Sequence, residues 1–125
     1  MSSYVYVSIL LFICIVVIGF YIRDNNTKTK KEFKSHIDNK QAESNKLNQA
    51  HFYSSFNRKS LERDYICGCF YCLEIFNPTE IEEWEGKRED TVLCPYCGID
   101  SIIGQSSKFP ITKDFLEKMN QKWFC

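Results

Sequence analysis

Charge is the first thing missing from this chain: residues 1–22 contain no Asp, Glu, Lys or Arg. A stretch that lacks charge over that length is not a solvated loop. Tyr4 to Ile22 reads YVYVSILLFICIVVIGFYI, nineteen residues with Ser8 and a few tyrosine hydroxyls as its polar groups. At about 1.5 Å per residue it nearly spans a bilayer core of roughly 30 Å. No Lys or Arg precedes the run and no small-residue cleavage pattern follows it, which argues against a cleaved signal peptide. The rest of the chain is too short to enclose an all-apolar helix in a soluble core. The reading is therefore an uncleaved transmembrane anchor over residues 1–22, with Tyr4, Tyr6 and Tyr21 at its interfacial ends.

Catalytic signatures are also missing. There is no HExxH or comparable acid–base pair, which a hydrolytic zinc site with three protein ligands and one open position would need. Neither CxxC motif opens a helix within a βαβ unit, the setting in which a helix dipole activates a redox thiol. The expectation is a protein without enzymatic activity, with a thiol redox protein as the alternative.

What the chain does contain is divided into zones. Its formal net charge of zero is a cancellation. Residues 23–60 hold nine Lys/Arg against four Asp/Glu, whereas residues 61–125 hold seven against twelve. Arg23, Lys28, Lys30, Lys31 and Lys34 follow the apolar run directly, so the positive-inside rule puts the N-terminus outside and the remainder in the cytoplasm. The same lysines could attract anionic headgroups, although setting the topology is role enough for them. Residues 23–50, with sparse apolar positions at Phe33, Ile37 and Leu47, read as a basic polar spacer, helical in parts. An acidic last zone disfavours nucleic acid as the partner of a zinc ribbon, because such binding needs basic residues around the site. A protein partner is the expectation instead.

Seven cysteines are present, and four have ligand spacing. Cys69 and Cys72 form one CxxC, Cys94 and Cys97 a second, with twenty-one residues between the pairs. Two such knuckles aim four thiolates at one tetrahedral Zn²⁺. Thiolate ligands suit a reducing compartment, in agreement with a cytoplasmic domain. Cys67 is the alternative to Cys69 through a CxxxxC spacing, and the commoner knuckle favours Cys69. His51 is a lesser candidate ligand. Cys14 reads as apolar filler in the span, with lipidation as its alternative, and Cys125 as a free thiol at the chain end. Gly98, just after the second knuckle, is expected to supply a positive φ.

Around the knuckles, Tyr65-Ile66, Leu73 to Phe76 and Thr91 to Leu93 are β-prone. Asn77-Pro78-Thr79-Glu80 is a helix start with an N-cap and capping box, predicted to lead into a short helix with Ile81 and Trp84 on its core face. Gly86 to Asp90 is a loop, Ile99 to Ile103 a strand or turn, and Gly104 to Pro110 a loop. Thr112 caps a last helix whose stripe of Phe115, Leu116, Met119 and Trp123 packs across the ribbon.

The runs CGCFYCLEIFNPTEIEEW, TVLCPYCGIDSIIG and FPITKDFLEKMNQKWF, preceded by HFYSSFNRKSLE, resemble a family of small zinc-ribbon-like bacterial proteins over about residues 51 to 124. The resemblance implies a cytoplasmic protein and no particular activity. An N-terminal anchor departs from that soluble form. The expected organisation is thus an anchor at 1–22, a spacer at 23–50 and an α+β zinc-ribbon-like domain at 51–125.

Overall fold

A computed structural model describes residues 2–125, which divide into two units, one ending at Ala42 and one running from Glu43 to Cys125. The first unit is helical throughout as part of helix α1 (Ser2–His51). Its apolar side chains are exposed on every face, and the helix is long and apolar enough to cross a membrane. The spacer is thus continuous helix rather than helix in parts. Residues 23–50 contain neither Gly nor Pro, and although Lys and Asn are their commonest residues, nothing in them stops a helix once started. Thr27 and Thr29 donate their hydroxyls to carbonyls three and four residues back, and Asp24 pairs with Lys28 at 3.0 Å.

The second unit takes in the last two turns of α1, where Leu47 and Ala50 are buried. It therefore begins before residue 51, because those two small apolar faces complete a core. A short helix α2 (Arg58–Leu61) follows, then strands β1 (Cys67–Cys69), β2 (Ile75–Phe76), β3 (Trp84–Glu85), β4 (Thr91–Val92) and β5 (Ile102–Gly104), and finally helix α3 (Lys113–Trp123). Strand β1 is the centre of a three-stranded antiparallel sheet ordered β2-β1-β5, and β3 and β4 form a separate hairpin.

Both faces of β1 are covered, and its alternation sorts the cores. Gly68 pairs with Ile103, while Cys69 pairs with Ile102 and Cys67 with Gly104. Successive residues point to opposite faces. Ile103 accordingly joins Leu47, Ala50, Phe70, Phe115, Leu116 and Met119 on the α3 side. Ile102 joins Leu61, Cys67, Cys69, Phe76, Val92 and Cys94 on the other. Gly68 is needed here because a Cβ at that position would stand 2.7 Å from Leu116 Cδ1.

Local signals hold in several places. Asn77 Oδ1 accepts from the Thr79 N–H at 2.9 Å, and Glu80 reaches back to the Asn77 N–H, completing the capping box. Thr112 Oγ1 accepts from the Phe115 N–H at the start of α3. The helix predicted after Asn77 is, however, one 3₁₀ turn over Pro78–Glu80, and Ile81 is already extended. Trp84 lies instead in β3 opposite Val92, half-buried beneath the Arg58 guanidinium at 4.6 Å. Gly86, at φ 98°, turns the chain back so that β3 and β4 pair, and that pairing outcompetes a helix with few apolar positions. Trp123 also departs from expectation. It remains 40% exposed and lies against the His51 ring in a tilted contact, centroids 4.0 Å apart, at the margin of the core that Phe115, Leu116 and Met119 fill. Tyr65 and Ile66 precede β1 rather than belong to it.

Candidate metal centre

The two knuckles are built on the same backbone plan. In the first, the Cys69 N–H donates to Glu74 O at 2.9 Å and the Leu73 N–H to Cys69 O at 2.9 Å. In the second, the Cys94 N–H donates to Ile99 O at 3.1 Å and the Gly98 N–H to Cys94 O at 2.8 Å. The residue after each second cysteine has positive φ, 76° at Gly98 and 68° at Leu73. Gly98 meets that demand without strain. Leu73 meets it at a cost of roughly 1–2 kcal/mol for a residue with a Cβ, offset by packing its side chain against the α3-side core.

These turns bring the thiols of Cys69, Cys72, Cys94 and Cys97 together, all four Sγ atoms lying within 4.8 Å of one another. The Cys69–Cys97 and Cys72–Cys94 pairs are each 3.7 Å apart, so each knuckle touches the other through both of its thiols. A disulfide would need about 2.05 Å. All seven cysteines are free thiols. The cluster can hold a metal ion, and its donor set of four soft sulfurs suits a cation that prefers tetrahedral thiolate.

Electrostatics fit a cation at the centre. Burial pushes Cys72, Cys94 and Cys97 each up to about 11, and charge on the neighbouring Cys69 adds to this. Cys69 goes the other way. Burial opposes its ionisation, but the Ser101 hydroxyl at 3.3 Å and the N–H groups of Cys72 and Tyr71 hold it below the ordinary thiol value. Four thiols at this separation cannot all ionise against one another unless a positive charge lies between them.

The other candidates fall outside the cluster. Cys67 is fully buried with its Sγ 3.5 Å from Phe76 O, and burial, with Cys94, Asp64 and Glu80 nearby, pushes it to about 12. His51 is engaged in ring contacts with Trp123 and Phe70. Cys14 and Cys125 are exposed.

Three residues that sequence reasoning passed over hold the centre in place. Ser101 is buried and touches Cys69 directly. Asn120, on α3, donates its side-chain N–H groups to Phe70 O and Tyr71 O at 3.0 Å each, gripping the loop between Cys69 and Cys72. Asn57, buried, donates to Ile102 O and accepts from the Val92 N–H, tying the sheet to the hairpin that leads into the second knuckle. Each is a common polar residue with no distinctive spacing, so only the fold reveals it. Comparison of the chain with protein-family models, with curated proteins and with solved structures returns no match.

Proposed function

We propose that this chain is a single-span membrane protein that carries a structural zinc module of the zinc-ribbon type in the cytoplasm and uses it to bind another protein. The observation that carries the reading is the four-sulfur cluster with its 3.7 Å edges. A tetrahedron with Zn–S bonds of about 2.3 Å has sulfur–sulfur edges of about 3.8 Å. Cys69, Cys72, Cys94 and Cys97 would hold the ion, and all four positions being protein ligands makes the site a closed, structural one.

The anchor reading is supported by the apolar run of α1, and the orientation by Arg23, Lys28, Lys30, Lys31 and Lys34 immediately beyond it. A protein partner is favoured over nucleic acid because residues 61–125 carry twelve acidic against seven basic side chains. Exposed Phe52, Phe56, Tyr65 and Tyr96 supply the aromatic surface that protein interfaces favour. The redox alternative has less support, since both CxxC motifs sit in strand-linked turns rather than at a helix start.

Metal analysis of the full chain, purified in detergent under reducing conditions, tests the proposal. One zinc per chain is expected, and Cys94→Ser with Cys97→Ser should abolish it. Wild-type zinc content in that double variant, or none in the parent, would overturn the reading.

A further inference from the structure

Where the apolar run of α1 gives way to charge, one face of the helix is notched. Gly19 leaves open space where a Cβ would stand. Ile22, Arg23, Asn26, Thr27 and Lys30 line a groove with it. These positions share a face because 3.6 residues make a turn, and Lys34 continues that face one turn on. The groove is apolar at Gly19 and Ile22 and cationic at Arg23 and Lys30.

Its cations are uncommitted. The adjacent carboxylate, Asp24, is paired with Lys28 at 3.0 Å on a different side of the helix. Arg23, Lys30 and Lys34 have no ion pair among the described residues. The Thr27 hydroxyl is turned inward to Arg23 O and Asp24 O, which leaves the guanidinium and the ammonium as the groove's free charged donors.

We propose that this groove binds one anionic phospholipid, its acyl chain against Gly19 and Ile22 and its phosphate between Arg23 and Lys30. A guanidinium binds phosphate through two parallel N–H donors and a lysine adds a point charge. The inference rests on reading residues 4–22 as a membrane span, which places the apolar end of the groove in hydrocarbon and the cationic end among headgroups. A second copy of the chain suits the groove less well. Four residues to either side of Gly19 stand Ile15 and Arg23, not the small residues that close helix pairing uses. A parallel pair through this face would also set Arg23 and Lys30 against their own copies.

The test uses the full chain reconstituted into phosphatidylcholine vesicles with trace spin-labelled phosphatidylglycerol or spin-labelled phosphatidylcholine. The reading is the fraction of label immobilised by the protein. A preference for the anionic label is expected, falling roughly fivefold for each cation removed in Arg23→Gln and Lys30→Gln. Gly19→Leu, which fills the notch and keeps both charges, should reduce it as well, whereas Lys28→Gln should leave it unchanged. Equal losses in Lys28→Gln would overturn the groove in favour of diffuse surface attraction. Ready disulfide formation between Gly19→Cys copies would overturn it in favour of a helix pair. Retention of the chain in alkaline carbonate with no lipid preference defeats the groove alone. Release by alkaline carbonate defeats the span, and the proposal with it.

Discussion

The amide of Asn57 joins pieces of backbone that are far apart in the chain. Its nitrogen donates to Ile102 O at 2.9 Å and to Tyr53 O at 3.3 Å, and its oxygen accepts from the Val92 N–H at 3.2 Å. Truncation in Asn57→Ala strands a buried carbonyl and a buried N–H, each costing about 1–3 kcal/mol. We expect a loss of about 2–4 kcal/mol in urea unfolding of the metal-loaded protein, with metal stoichiometry unchanged. Ser101 acts on the centre itself. Its hydroxyl touches the one cysteine held below the ordinary thiol value, and removing such a partner of a ligand typically costs 10- to 100-fold in metal affinity. Ser101→Ala should therefore weaken metal binding by roughly tenfold or more in competition with a chromophoric chelator. An unchanged affinity would show that the hydroxyl only fills space.

Among the elements, β1 is constrained most tightly, since it is buried on both faces and supplies Cys69 as well. Its contact with α3 depends on Gly68, over which Leu116 lies. Gly68→Ala should destabilise the domain by about 1–3 kcal/mol through overpacking. Combined with Leu116→Ala, which opens the space the new methyl needs, the cost should fall well short of the sum of the two single changes. Additivity in that cycle would mean that the two side chains do not share the space. The C-terminal end of α3 is held by lighter means. Lys122 donates to Ser44 O at 2.8 Å and to Ser44 Oγ at 2.7 Å, and Lys118 pairs with Glu43 at 2.9 Å. The Lys118–Glu43 pair is roughly half exposed and contributes little by itself. Burial of Leu116 and Met119, at about 1.5–3 kcal/mol each, does most to hold α3 in place.

At the scale of the whole molecule, two small cores lie on either side of one three-residue strand, and one of them includes the cysteines of the cluster. A unit of this size gains only a few kcal/mol from its apolar core, while a four-thiolate zinc site contributes on the order of 10 kcal/mol. A strong chelator should therefore abolish the near-ultraviolet circular dichroism of Trp84, which packs against the cysteine core, and of Trp123 with it. The helical signal of the apolar run should survive. Persistence of both tryptophan signals without metal would show a fold independent of the site. The long apolar helix, the charge step at Arg23, the paired CxxC motifs, the capping box at Asn77 and the cap at Thr112 were all legible in the sequence. Each is a local device, determined by composition or by spacing within a few residues. The strand pairing that takes Trp84 away from a helix was not legible. Nor were the last turns of α1 completing a core, the ring contact of His51 with Trp123, or the roles of Asn57, Ser101 and Asn120. Those depend on which distant backbone groups and apolar faces meet, and only the tertiary structure decides that, because a buried polar atom takes whatever partner the packing brings to it.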